Sequence, residues 1–217
     1  MMIPTTRRGQ QTRAALVEAA AAVFAEKQFL ATNVADIATR AGTAHGTFYR
    51  YFESKEDIFR QVAIDLQRKM REHGEPDRAV EPPPFDSLED ELLWRITRAN
   101  HRYLAAYQEH AKLFAVIEQV ATFNDELLAI RKEIRRGFVD HAHASIERMQ
   151  REGLAFDDVD ARYAASALGS MVDRFAYVWL VLHEPFELDE AARTLGLLWA
   201  RSLGLGVRLP GDDSRKR

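Results

Sequence analysis

The chain has no cysteine among its 217 residues. That absence excludes disulfides, zinc held by thiolates and thiol catalysis. Long apolar runs are missing as well. The longest strictly apolar stretch, Phe175 to Leu182, falls far short of the roughly 18 residues a spanning helix needs, and the first residues, M-M-I-P-T-T-R-R, carry no apolar signal core. The expectation is a cytoplasmic protein with no membrane segment. Phosphate loops, nucleophile elbows and HExxH helices are absent, and Gly204-Leu-Gly206 is only a fragment of a glycine-rich pattern. A carboxylate-bridged metal bundle would need two Glu-x-x-His motifs, and the nearest approach is one Asp140-x-x-His143. No catalysis, no metal and no cofactor are expected. An overall basic charge is lacking too: the net charge is −3. The distribution matters more than the sum. Residues 1 to 50 carry six Lys/Arg against three Asp/Glu, and residues 51 to 217 carry 24 against 30, so the N-terminal part has the local basic balance that phosphate contact requires.

What is present is helical rhythm. Leu16, Val17, Ala20, Val23 and Phe24 recur as on a helix buried along one side, which predicts a first helix over about residues 11 to 26. Ile58, Phe59, Val62, Leu66 and Met70 repeat the pattern over 55 to 72. Gly74, Pro76 and Pro82-Pro83-Pro84 then read as a solvated loop over 73 to 86. Asp86 and Glu89 fit a capping box for a helix over 87 to 107. Further helices are expected over 109 to 121, 125 to 152 with Gly153 as stop, 160 to 183, and 189 to 203. No strand signal and no internal repeat stands out. The fold class is all-α.

Between Thr32 and Lys55 two short helices flank a glycine turn, the layout of a helix-turn-helix. Thr32 is placed to cap the first of them, Gly42 ends it in a left-handed conformation, and residues 44 to 51 form the expected recognition helix. Ser54 caps the helix that starts at Lys55. Thr32, Ile37, Ala38, Ala41, Gly42, Gly46, Thr47, Tyr49, Phe52, Ser54 and Lys55 stand in order without a gap. This segment resembles the DNA-binding domain of the tetracycline-repressor-like (TetR/AcrR) regulators. Thr43, Ala44 and Tyr51 depart from the family pattern, and Ala44 removes the usual cap hydroxyl, with Thr43 the nearest substitute. The motif covers about residues 10 to 60.

The resemblance implies a regulator that binds a double-stranded DNA operator as a homodimer, with a small-molecule effector in its C-terminal domain. The expected divisions are a DNA-binding domain with an N-terminal arm over 1–54, a helical ligand-binding and dimerisation domain over 55–207, and a polar tail over 208–217. Thr32, Asn33, Thr43, Ala44, His45, Thr47, Tyr49, Arg50 and Lys55 are the DNA-contact candidates. His45 and Thr47 are the expected base readers, with solvated residues as the alternative. The resemblance implies phosphate contact by Tyr49; otherwise Tyr49 closes the small core, as Phe48 and Phe52 do. Lys55 opposes the dipole of its own helix, a conflict an external phosphate would remove. Arg7 and Arg8 fit either a minor-groove arm or a disordered basic end.

The helix over 160 to 183 carries only Asp173 and Arg174 as charges between Ala164 and Leu182, so it must be covered on most sides. The last helix offers a matching stripe. Asp173, Trp179, Leu195, Leu198, Trp199 and Ser202 are therefore the expected dimer-interface residues, the alternative being one buried helix in a monomer. Leu93, Ile96, Asn100, Tyr103 and Tyr107 place an amide on an apolar and aromatic face, and Ile134, Phe138, His141 and Ser145 place an imidazole on another. The expected cavity lining is Trp94, Asn100, Tyr103, Tyr107, Phe114, Ile117, Phe138, His141, Met171 and Phe175, against a solid core with satisfied polar groups. Asp173 and Arg174 serve either the seam or a ligand head. The competing function is a helical small-molecule-binding protein with no DNA-binding role.

Overall fold

The computed structural model describes residues 6–74 and 81–206. Among them every regular element is α-helical: α1 (Arg7–Ala31), α2 (Val34–Arg40), α3 (His45–Phe48), α4 (Lys55–Gly74), α5 (Leu88–Glu109), α6 (Ala111–Ala121), α7 (Asp125–Arg151), α8 (Ala161–Leu180) and α9 (Leu188–Ser202). Most of the expected loop over 73 to 86 lies outside the described residues or is irregular, and the expected tail over 208–217 lies outside them altogether. No described helix is long and apolar enough to cross a membrane.

The packing divides the chain into two units, residues 1–69 with 110–134, and 70–109 with 135–217. A boundary at residue 54 therefore does not follow the packing. α4 belongs to the first unit's core through Ile58, Phe59, Val62 and Leu66, and α6 packs on α1 with Phe114 and Ile117 fully buried. A short three-helix head has too little apolar area to enclose these aromatics alone.

The first unit is built on α1, which starts at Thr6, whose hydroxyl accepts from the Gly9 N–H at 3.2 Å. Arg7 and Arg8 are thus exposed first-turn residues of a helix and not an extended arm. Near its other end α1 bends at Gln28, which sits at φ 65°, ψ 169°, a region that side-chain-bearing residues occupy only under strain. The bend turns Phe29 inward. Its ring lies 5.0 Å from Phe59 and 5.7 Å from Phe24, and Phe24 meets Phe59 edge-on at 4.7 Å.

In the second unit, α9 lies along α5. Leu195 and Trp199 point inward, at 2% and 6% exposure. At Gly196 a Cβ would come within 2.3 Å of the Thr97 hydroxyl and 3.2 Å of the Thr97 Cα, so glycine permits the close approach of the two helices. α5 begins at Ser87, whose hydroxyl accepts from the Asp90 N–H at 3.1 Å and donates to the Asp90 carboxylate at 2.7 Å. Ser87 and Asp90 replace the expected Asp86 and Glu89 pair one residue later. α7 stops at Gly153 with φ 70°, as its position in the sequence requires, and Asp160 caps α8 by accepting from the N–H groups of Arg162 and Tyr163.

Candidate DNA-binding interface and ligand cavity

The helix-turn-helix is assembled by local rules. Asn33 caps α2: its side chain accepts from the Asp36 N–H at 2.9 Å while the Asp36 carboxylate accepts from the Asn33 N–H at 3.4 Å. The Lys27 ammonium, 2.9 Å from Asp36, holds that carboxyl below the usual carboxylate range. The capping box is therefore complete at neutral pH and weakens only as acid protonates Asp36. Thr32 does not do this work. It terminates α1, is 3% exposed, and donates its hydroxyl to the Gln28 carbonyl at 2.7 Å, so it is removed from the DNA-contact candidates. Gly42, at φ 65°, makes the turn. Thr43 donates to the Ala38 carbonyl at 3.4 Å and supplies no cap for α3, whose N-cap residue Ala44 has no side-chain bond to give. Regular helix covers His45–Phe48 only, with a turn over 49 to 51.

Within that short helix the residues divide by face. Phe48 and, just beyond, Phe52 are buried in the core. His45, Gly46 and Arg50 are exposed, and Thr47 is half-buried. Tyr49 is 54% exposed. Its ring rests edge-on against His45 and Phe48, both at 5.3 Å, so Tyr49 does not close the core. A Cβ at Gly46 would meet nothing within 4 Å, leaving a small residue at an open surface that the chain's own packing does not demand.

Lys55 is used internally. Its ammonium donates to the carbonyls of Phe29 at 2.9 Å and Thr32 at 3.0 Å, and lies 4.5 Å from the centre of the Phe29 ring. The dipole conflict at the start of α4 is answered by the negative C-terminal end of α1 and not by a phosphate. Lys55→Met should therefore cost about 2 kcal/mol of folding stability, the loss of hydrogen bonds from a charged donor, and leave the salt dependence of DNA binding by the folded fraction unchanged. Urea unfolding beside salt titrations checks this; unchanged stability with a shallower salt slope would return Lys55 to phosphate contact.

The second unit holds a cavity of about 460 Å³. α5 lines it with Leu92, Trp94, Arg95, Ile96, Arg98, Ala99, Asn100 and Arg102; α7 lines it with Phe138, His141, Ala142, Ser145, Arg148 and Met149; Pro82 and Trp199 complete it. Of the expected residues, Trp94, Asn100, Phe138 and His141 are here. Phe114 and Ile117 are not, because α6 packs in the other unit. Tyr103 instead donates its hydroxyl to the Asp173 carboxylate at 2.6 Å and packs its ring at a tilt against Phe138, 4.9 Å away, while Tyr107 is fully buried. Phe175 packs against Phe186 at 4.9 Å, and Met171 lies half-exposed on α8 outside the lining. The arginines of α5 went unrecognised in the sequence, although Arg95, Arg98 and Arg102 share a helical face; three cations at such spacing read as solvated. Among the described residues no group of His, Asp and Glu could hold a metal.

The interface expectations also change. Asp173 faces α5 through Tyr103. Trp179, Leu195 and Trp199 are buried within the single chain at 6%, 2% and 6% exposure. Leu198 and Ser202 stay on the outer face of α9.

A helix-turn-helix with a buried core and an exposed recognition turn, in one chain with a helical unit that carries a partly open, ligand-sized cavity, is the architecture of a DNA-binding regulator. Comparison with known proteins agrees: the model of bacterial regulatory proteins of the tetR family matches residues 16–62, and that of the C-terminal domain of the transcriptional regulator EthR matches residues 96–203. Among similar proteins, the HTH-type transcriptional regulator TtgR of Pseudomonas putida is 26% identical over 87% of this chain and 89% of its own length. The HTH-type transcriptional repressor BepR of Brucella suis is 27% identical over 85% and 88%. The TetR-family transcriptional regulator PfmR of Thermus thermophilus superposes with a TM-score of 0.62 at 24% identity, over 89% of this chain and 99% of that one. The chain belongs to the TetR/AcrR family of transcriptional regulators, which are not enzymes.

Proposed function

We propose that the chain is a ligand-responsive repressor that binds a palindromic operator as a homodimer in the cytoplasm and releases it when a small apolar or amphipathic effector enters the cavity. The observation that carries the reading is the coexistence, in one chain, of an exposed recognition turn and a partly open cavity of about 460 Å³, a volume within the roughly 300–1,000 Å³ of small-molecule sites. His45 and Thr47 read bases; Asn33, Tyr49 and Arg50 position the backbone, with Thr43 and Ala44 beside them. Gly46 leaves room for a sugar-phosphate strand.

The dimer is proposed on the outer faces of α8 and α9. Tyr163, Ala167, Met171, Arg174, Val178 and Leu182 follow one stripe of α8 and its exit. Tyr163 is 81% exposed and Leu182 56%, and on α9 Leu198 is 42% exposed. A stripe of this kind on a lone chain is unusual, because contiguous exposed apolar surface marks an interface. Coupling then follows from linkage: an effector that binds the operator-incompetent state more tightly shifts the population toward release.

The test is anisotropy titration of the full-length protein against duplexes recovered from a randomised pool. His45→Ala or Thr47→Ala is expected to change preference at particular base pairs by about 1–3 kcal/mol with stability unchanged. Profiles parallel to the parent protein would remove both from base reading. Failure to recover any salt-sensitive duplex would favour the competing reading, a ligand-binding protein without a DNA role.

A further inference from the structure

We propose that the cavity between α5 and α7 selects an amphipathic molecule with an anionic, hydrogen-bond-accepting head, a carboxylate on an apolar body. The inference rests on the cavity being the effector site and narrows the effector to a chemical class.

Charge is the first observation. Among the described residues four arginines line the cavity, Arg95, Arg98, Arg102 and Arg148, together with His141, and no aspartate or glutamate does. Arg95 is engaged by Glu91 one turn earlier, at 2.5 Å. Arg98 and Arg148 have no acidic partner among the described residues. Arg98 is held in the wall by the Trp94 ring, 5.7 Å below its guanidinium.

The donors are the second. Among the described residues, the buried side-chain Nδ2 of Asn100 (1% exposed), the indole N–H of Trp199 (6% exposed) and the buried Nε of Arg98 all lack an acceptor. Buried polar groups are almost always paired, so three lone donors lining one chamber mark where an acceptor belongs. Water would satisfy the N–H groups and leave the arginine charge unanswered. A neutral ester or alcohol would do the same. A cation would meet donors only and repulsion besides. A carboxylate has two oxygens and about four lone-pair sites, enough for several of these donors, and its charge answers the guanidinium. The rest of the wall, Leu92, Ile96, Phe138, Ala142 and Met149, gives an alkyl or aryl body its apolar surroundings.

Three probes with one body and different heads separate the possibilities: decanoate, decanol and decyltrimethylammonium, each titrated below its micellar concentration into the full-length protein. Calorimetry gives the affinity, and the fluorescence of Trp94 and Trp199, both in the lining, reports the place. Decanoate is expected to bind about tenfold or more tighter than decanol, a gap set by charge-assisted hydrogen bonds, with the cation weakest. Arg98→Met with Arg148→Met should lower decanoate affinity about tenfold and leave decanol within about twofold; Asn100→Leu should lower decanoate in the same sense. Decanol or the cation matching decanoate overturns the head-group assignment while leaving the effector site in place. Ala99→Phe, which narrows the chamber, should weaken all three probes. If no probe binds, or all three bind Ala99→Phe as before, the cavity is not the effector site and both readings fall.

Discussion

Leu195→Glu is expected to destabilise the C-terminal unit by about 3–5 kcal/mol, a large share of the roughly 5–15 kcal/mol that holds a domain together. Leu195 is 2% exposed within one chain. Its neighbour Gly196 marks where α9 comes closest to α5, with Thr97 inside the space of a Cβ. A carboxylate introduced here has to be desolvated or reach water by prying α9 away. The lost leucine also leaves its own void, since interiors relax only partly around a deletion. Urea unfolding followed by near-ultraviolet circular dichroism should show an early loss of the environment around Trp179 and Trp199, both buried in the same unit. A variant that keeps its parent's stability would place Leu195 on a surface and return it to the dimer seam.

That stripe shows where the sequence was legible and where it was not. Helix positions follow from periodicity because any amphipathic segment long enough must bury one side, and α7, α8 and α9 start or stop within three residues of the expected ends. Caps were misjudged by one residue at Thr32 and Asn33, and again at Asp86 and Ser87. At each site two adjacent residues can both cap, and only the backbone decides which is in register. The buried face of α9 was identified but not its partner. Apolar side chains carry no label saying whether another helix of the same chain or of a second copy covers them. Lys55 failed for a related reason: electrostatics required an anion near its ammonium, and the carbonyls at the end of α1 were a candidate visible only once α1 was seen to run to Ala31. In the cavity, aromatic and amide positions were read from their shared apolar face. The arginines were not, because a guanidinium whose stem lies along a wall leaves the same sequence pattern as one in solvent.

Three residues beyond Leu195, the opposite substitution outcome is expected. Leu198 is 42% exposed, so Leu198→Glu should leave the single chain within about 0.5 kcal/mol of its parent, as surface changes do. On the proposed assembly, α8 and α9 meet their own copies across a two-fold axis, and a twofold seam repeats every change on both sides. Two carboxylates would then be pressed together among Tyr163, Val178 and the outer turns of α9, where each repels its copy across the axis. A desolvated, unpaired charge costs several kcal/mol, enough to move a micromolar dimer to monomer at working concentrations. The consequence is carried to DNA without touching the recognition turn. Two half-sites bound by one dimer gain about a hundredfold or more over separate binding, and a monomer forfeits that gain. Sedimentation of Leu198→Glu should show the single-chain mass, its melting curve should match the parent, and its affinity for a palindromic operator should fall by about a hundredfold while its affinity for one isolated half-site is kept. A Leu198→Glu protein that sediments as a dimer and holds the palindrome normally would move the seam off the outer face of α9.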